Sequence, residues 1–143
     1  MTNANIPFLD LVTVHREFEG ELVEVLKNAL KTAGFIGGPM VQGFEEEFAR
    51  FCEAQLCVGL GSGTDALRFA LIAAGVKSGD IVITVPNTFI ATTEAISQAG
   101  ARPDFIDIDP TTYTMDPSIL REYLETKCRW NPKTRQVTHN ATG

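Results

Sequence analysis

The feature that most constrains the fold of this chain is an apolar segment that runs through three glycines directly into a helical pattern. Residues 58–67 are VGLGSGTDAL, and we call residues 59–63 the glycine turn. The apolar residues 56–60 predict a buried strand, and residues 64–74 predict a helix buried on most sides. Such a helix presents unpaired N–H groups beside glycines that let a ligand approach closely. The layout is therefore typical of a phosphate site, with a tight turn that binds no ligand as the alternative.

The rest of the sequence alternates helical and strand-like segments. Apolar residues at three- and four-residue steps predict a helix over 14–33, and a glycine-rich loop over 35–44 leads into a second helix. Further strands are predicted at 81–85 and 103–109, and further helices at 88–98 and from Asp116-Pro117 to about Lys127. Apolar strands alternating with helices predict an α/β fold, a three-layer α/β/α arrangement around a mostly parallel sheet. Residues 128–143 show no period and are predicted to be an irregular tail.

Charge and cysteine content exclude several functional classes. The net charge of -6 argues against a general nucleic-acid binder, and the four cations of the tail are interpreted as a solvated end. No apolar run is long enough to cross a bilayer and the first ten residues lack a signal-peptide pattern, so a cytoplasmic protein without membrane partners is expected. Three cysteines without C-x-x-C spacing predict neither a disulfide framework nor a metal site, and Cys52 and Cys57 are expected to be buried thiols.

Several phosphate ligands fit the glycine turn poorly. The dinucleotide fingerprint wants a third glycine where Thr64 stands and an acid after the strand 81–85, which ends in Pro86-Asn87. The Walker motif wants a lysine that this stretch lacks. A methyltransferase-like loop for S-adenosylmethionine stays open, although it wants an acid at Gly59 and a glycine at Asp65. Asp65 brings a negative charge to any anion site here; the helix dipole favours a negative charge in the first turn, and the side chain could turn away from the ligand.

A second candidate segment follows the strand predicted at 81–85. Residues 86–92 are PNTFIAT, and Phe89 is predicted to begin the next helix. Because ligands of open α/β sheets bind at the carboxyl ends of strands, Phe89 is placed to stack on a flat heterocycle. A core position for this ring is the alternative.

Together these motifs resemble a known family. GSGTDAL, PNTFIAT and PDFIDID, preceded by IPFLDL and FIGGPMVQGFEEEFA, are similar to the DegT/DnrJ/EryC1/StrS sugar aminotransferases over residues 6–126. The resemblance implies the large domain of fold-type I enzymes that use pyridoxal 5'-phosphate (PLP), and a homodimer with active sites at the subunit interface. It also implies transfer of an amino group, usually from glutamate, to a keto-sugar linked to a nucleotide.

The resemblance carries over to individual residues. The Gly63 and Thr64 amides and the Thr64 hydroxyl would hold the cofactor phosphate, and Phe89 would stack on the pyridine ring. Phe35, Ile36 and Gly37 would line the sugar-nucleotide entrance. No catalytic residue is assigned, because none of the five lysines matches the position that attaches PLP in the family; they are Lys27, Lys31, Lys77, Lys127 and Lys133.

The resemblance also divides the chain. Residues 1–127 would be the N-terminal portion of the large domain, and residues 128–143 a tail related to truncation. The sequence is therefore expected to be an N-terminal fragment. A non-catalytic remnant that keeps the fold as an interaction module is a further hypothesis.

We expect these 143 residues alone to transfer no amino group, because covalent attachment of PLP needs a nucleophilic lysine at the family's position. The measurement is formation of 2-oxoglutarate from glutamate by the purified chain with added PLP and a keto-sugar nucleotide. Detection of that product, or of PLP fixed to the chain by borohydride, contradicts the expectation.

Overall fold

The computed structural model describes residues 8–142, which divide into two compact units that meet in sequence at Gly59 and Leu60. The first unit contains helices α1, Leu11–Thr32, and α2, Pro39–Phe51. Asp10 caps α1 by accepting a hydrogen bond from the Thr13 amide at 3.0 Å. The segment IPFLDL lies partly outside the described residues.

The loop predicted over 35–44 is wrong at its end, because α2 already begins at Pro39. Proline suits the first helical position, since its φ is preset and its missing N–H has no partner there. The apolar side of α2 carries three phenylalanines, and the rings of Phe44 and Phe48 stack with centroids 5.5 Å apart. Only Ala29 and Ala49 of the described part of this unit are buried, so both helices keep apolar faces exposed.

The second unit contains the remaining elements: α3, Gly63–Ala73; β1, Ile81–Thr84; α4, Ala91–Gln98; β2, Arg102–Phe105; α5, Pro117–Lys127; β3, Cys128–Asn131; and β4, Gln136–His139. Strands β1 and β2 are parallel, with Ile81 opposite Arg102 and Thr84 opposite Phe105. Helix α4 joins the two strands and contributes Ala95 and Ile96 to the small core. The predicted α/β fold with parallel strands is confirmed.

The strand predicted over 56–60 is wrong. These residues form no strand, and the side chains of Leu56 and Val58 are largely exposed. A parallel strand needs a neighbour for its backbone hydrogen bonds, and within the described chain β1 pairs only with β2. The expected burial of α3 is wrong for a related reason. This helix packs against α4 on one side, and none of its residues is fully buried.

The boundaries of two other elements differ from the prediction. Helix α4 begins at Ala91 rather than at residue 88, so Phe89 lies in the loop before it. Strand β2 ends at Phe105, and the chain continues into a loop closed by a bridge between Ile108 and Met115. Helix α5 begins as predicted, with Asp116 accepting from the Ser118 amide at 2.7 Å and Pro117 in the first turn.

The tail predicted to be irregular forms an antiparallel hairpin of β3 and β4. Its turn is held by the Asn131 carbonyl, which accepts from the Arg135 amide at 2.8 Å, and by the Asn131 side chain, which accepts from the Lys133 amide at 3.0 Å. Trp130 pairs directly with Val137 across the strands. Such cross-strand pairs stabilise a hairpin even where each strand is too short to show a period.

One polar contact joins α5 to β2. The buried Tyr123 hydroxyl donates a hydrogen bond to the Asp104 carboxylate at 2.6 Å. This bond is the main cause that lowers the pKa of Asp104. Burial, followed by the same hydrogen bond, raises the pKa of Tyr123 to about 12. The pair therefore stabilises the fold with the carboxylate charged and the phenol neutral.

We expect Tyr123→Phe to lower the free energy of unfolding by about 1–2 kcal/mol, because a hydrogen bond to a charged group is lost while the ring is kept. Urea denaturation followed by circular dichroism measures the change. Tyr113→Phe is the matched control, since the Tyr113 ring is 70% exposed.

The same pair predicts the pH dependence. The lowered pKa of Asp104 stabilises the fold above about pH 4, and this is lost as the pH falls through the folded value. The raised pKa of Tyr123 adds stability that is lost as the pH rises from 10.0 to about 12. Tyr123→Phe should remove the alkaline loss, and an unchanged alkaline profile would show that the pair does not control it.

Candidate functional site

The glycine turn ends in a helix start whose donors are only partly used. Ser62 caps α3, and its hydroxyl oxygen accepts from the Asp65 amide at 3.1 Å. The Ala66 amide donates to the Ser62 carbonyl at 3.0 Å. Within residues 8–142, the Gly63 amide, the Thr64 amide and the Thr64 hydroxyl have no hydrogen-bond partner. We call these three groups the cradle.

The cradle is open to a ligand. Gly63 is exposed and Thr64 is half-buried, so the donors are not covered by other parts of the described chain. Gly63 does not have a positive φ, and a Cβ built on it meets nothing within 4 Å. No contact of the chain therefore demands glycine at this position. A ligand that approaches the backbone closely would explain it.

The Asp65 side chain lies against the glycine turn. Its carboxylate accepts a hydrogen bond from the Ser62 hydroxyl at 3.1 Å, and it lies 3.4 Å from the place that a Cβ on Gly61 would take. The helix dipole stabilises a negative charge in the first turn. The start of α3 thus combines three free donors with one carboxylate.

Phe89 lies at the carboxyl end of β1, in the loop that leads into α4. Its side chain is 77% exposed, so the core position considered as the alternative is wrong. The loop is fixed by a 2.8 Å hydrogen bond between the hydroxyls of Thr88 and Thr92, and by the Thr92 amide, which donates to the Phe89 carbonyl at 3.0 Å. Helix α3, which begins with the cradle, packs against helix α4, which begins shortly after Phe89.

The residues expected at the substrate entrance belong to the first unit. Phe35 and Ile36 are exposed, Ile36 almost completely, and Gly37 has a φ of 61°. They lie between α1 and α2, where apolar side chains without cover suit a binding role. Cys52, expected to be buried, is exposed just after α2, and Cys57 is only half-buried. The strand predicted over 56–60, which would have contained Cys57, does not form.

Ser62 is a residue of this site that the sequence interpretation did not single out. The pattern Ser62-x-x-Asp65 is the signal that would have found it, since a serine followed three residues later by an acid predicts a capped helix start. Arg68 was also missed. Its Nε is buried without a hydrogen-bond partner in the described chain, and its guanidinium lies 5.1 Å from the centre of the Phe69 ring.

Two other features are absent from residues 8–142. No group of three or more metal-ligating side chains occurs there. None of the helices in that range is long and apolar enough to span a bilayer.

Comparison with known proteins agrees with the motifs. Residues 16–130 match the DegT/DnrJ/EryC1/StrS aminotransferase family. A pleiotropic regulatory protein of Geobacillus stearothermophilus is 42% identical over 87% of this chain and 34% of its own length. A UDP-2-acetamido-2-deoxy-3-oxo-D-glucuronate aminotransferase of Pseudomonas aeruginosa is 37% identical over 92% of this chain and 35% of its own length.

Solved structures are similar over the same region. The S. venezuelae DesV in complex with a ketimine intermediate matches with a TM-score of 0.77 and 37% identity, over 82% of this chain and 32% of that one. The Bacillus subtilis NtdA with bound cofactor PMP matches with a TM-score of 0.73 and 30% identity, over 85% and 29%. The chain thus spans about a third of the length of the proteins it matches.

We expect Ser62→Ala to lower the free energy of unfolding by about 1 kcal/mol, because the cap of α3 is lost. Thermal or urea denaturation measures the effect. Ser78→Ala is the control, since the Ser78 side chain has no hydrogen-bond partner among residues 8–142. Equal stability of the two variants would show that Ser62 does not hold the helix start.

Proposed function

Because the chain belongs to the DegT/DnrJ/EryC1/StrS aminotransferase family, we propose that it is part of a PLP-dependent enzyme that aminates a nucleotide-linked keto-sugar, with glutamate as the usual donor. The observation that carries the proposal is the cradle at the start of α3. Its three free donors and open glycine are what a phosphate group requires.

The cradle's own chemistry fits the phosphate of PLP. Two amides and a hydroxyl donate hydrogen bonds to phosphate oxygens, and the positive end of the α3 dipole favours the negative charge. Asp65 opposes that charge, but its carboxylate is engaged by the Ser62 hydroxyl. PLP, when bound, supplies the electron sink for amino transfer, and the chain supplies binding and orientation.

Phe89 would complete the cofactor site. Its exposed ring follows β1 on the side of the strand where α/β folds bind ligands, and a flat pyridine ring would cover it. Stacking of this kind sets the orientation of a ring whose phosphate is held elsewhere. We assign binding roles to Gly63, Thr64 and Phe89, and no catalytic role to any residue of this chain.

The substrate and assembly are proposed from the relatives. The Pseudomonas aeruginosa relative is named for a UDP-linked keto-sugar, which supports a nucleotide sugar here. Phe35, Ile36 and Gly37 would line its entrance. The exposed apolar faces of α1 and α2 suit a homodimer, as they would be covered by a partner. The free thiols of all three cysteines suit the reducing cytoplasm.

We expect Gly63→Ala to weaken PLP binding about tenfold, the effect of one lost charge-assisted hydrogen bond, because the new methyl group enters the space of the phosphate. The fold should be retained, since alanine favours a helix. Titration of the purified chain with PLP, followed by absorbance, gives the dissociation constant. Gly20→Ala is the control, because Gly20 is equally open but lies in α1.

The same titration tests the stacking role. Phe89→Ala should weaken PLP binding about fivefold while leaving competition by inorganic phosphate unchanged, because the cradle is intact. Phe51→Ala removes a ring of similar exposure at the end of α2 and serves as the control. The proposal is wrong if both site variants bind PLP like the controls, and binding of S-adenosylmethionine instead would favour the methyltransferase-like alternative.

A further inference from the structure

Charge is divided unevenly along this chain. Residues 126–143 hold four of the 12 lysines and arginines and none of the 18 aspartates and glutamates. The four cations are Lys127, Arg129, Lys133 and Arg135. Everything before residue 126 therefore carries eight basic and 18 acidic side chains. The hairpin is a basic element on an acidic protein.

The hairpin also exposes an apolar pair. Strand pairing places Trp130 opposite Val137 on one face, and both side chains are more than half exposed. Arg129 lies on the other face, opposite Thr138, while Lys133 and Arg135 occupy the turn. Within residues 8–142, none of these cations is within ion-pair distance of a carboxylate.

The hairpin stands apart from the proposed cofactor site. With Asp80 and Ile81, Val137 and His139 line a groove of about 340 Å³. Asp80 and Ile81 stand at the amino end of β1, whereas Phe89 follows its carboxyl end. The family match stops at residue 130, so the turn and β4 lie beyond it. A role of the hairpin in holding PLP is therefore not indicated.

The composition of the hairpin fits a protein interface. Tryptophan and arginine are the residues most enriched at the energetic centres of such interfaces, and a one-sign charge favours a partner of opposite charge. This chain itself offers such a partner. On α1, Glu17, Glu21 and Glu24 recur at helical spacing, and we call them the acidic face. All three are exposed, and among residues 8–142 Glu24 alone of the three has an ion pair, with Lys27 at 2.7 Å.

We propose that the β3–β4 hairpin docks on the acidic face of α1 in a second copy of this chain, with Trp130 as its apolar contact. This interaction involves no group of the cradle. It is therefore independent of the proposed cofactor, and the PLP titration reports on the two separately.

The test is sedimentation velocity of the full chain at two salt concentrations. We expect dimers at about 0.05 M salt that weaken at about 0.5 M, because salt screens exposed charges. The homodimer proposed through the apolar faces of α1 and α2 would not weaken with salt, so it is the salt-dependent part of the association that reports on the hairpin. The double variant Lys133→Glu, Arg135→Glu should lower the association constant at least about tenfold at low salt. Adding Glu17→Lys and Glu21→Lys to it should restore association.

Two further variants distinguish loss of the interface from unfolding of the hairpin and from a general effect of net charge. Lys77→Glu with Arg121→Glu changes the net charge equally outside both the hairpin and α1, and should leave association nearly unchanged. Arg135→Gly removes one charge at a residue whose φ is 56°, a conformation that glycine adopts more readily. It should preserve or strengthen the hairpin and still weaken association.

Four results would overturn the proposal. They are a wild-type chain that stays monomeric, association that salt does not weaken, equal behaviour of the hairpin and control variants, and failure of the α1 charge reversal to restore the dimer. Circular dichroism of each variant establishes that it is folded.

Discussion

The second unit depends on one requirement, that the backbone groups of a parallel strand find a neighbour. Strand β1 meets it by pairing with β2 across the α4 crossover, and α4 adds the buried side chains of Ala91, Ala95 and Ile96. The Tyr123–Asp104 hydrogen bond then fastens α5 to β2. The same requirement fits the finding that residues 56–60 form no strand, since within the described chain β1 pairs only with β2.

Some helix boundaries were predictable from the sequence because the signals that define them are local, whereas the starts of α2 and α4 were misplaced. Asp116-Pro117 and the glycine after the first helix set their boundaries within a few residues, and the resemblance to the family rested on similarly contiguous motifs. Burial was not predictable in the same way. The apolar sequence of α3 suggested cover on most sides, yet cover depends on which elements lie nearby, and only α4 packs closely against it. The hairpin was not predicted, because two strands of four residues are too short to show an alternation of apolar and polar residues.

In the candidate site, too, some features were predictable from local sequence and others depend on contacts with the surroundings. Gly63 and Thr64 could be chosen from sequence because a helix after a glycine turn leaves its first donors free whatever surrounds it. The exposure of Phe89 and the position of the Asp65 carboxylate could not, as each depends on side-chain contacts. At the start of α3, Ser62 determines which backbone amides stay free and where the Asp65 carboxylate lies. Its hydroxyl satisfies the third amide and holds the carboxylate, and the two preceding amides stay free.

The proposed phosphate site and the proposed hairpin interface differ in physics. Residues 56–67 contain no lysine or arginine and one aspartate, so the cradle has no side-chain cation of its own. Its attraction for a phosphate comes from oriented amides at short range, which salt screens little and which depends on close approach. The hairpin offers the reverse, the exposed cations of Arg129, Lys133 and Arg135, whose attraction is long-ranged and lost in salt. A site built on backbone donors selects a ligand by its shape, whereas a charged hairpin selects a partner surface by the sign of its charge. The two elements are therefore suited to different partners, the first to a small phosphorylated molecule and the second to a protein.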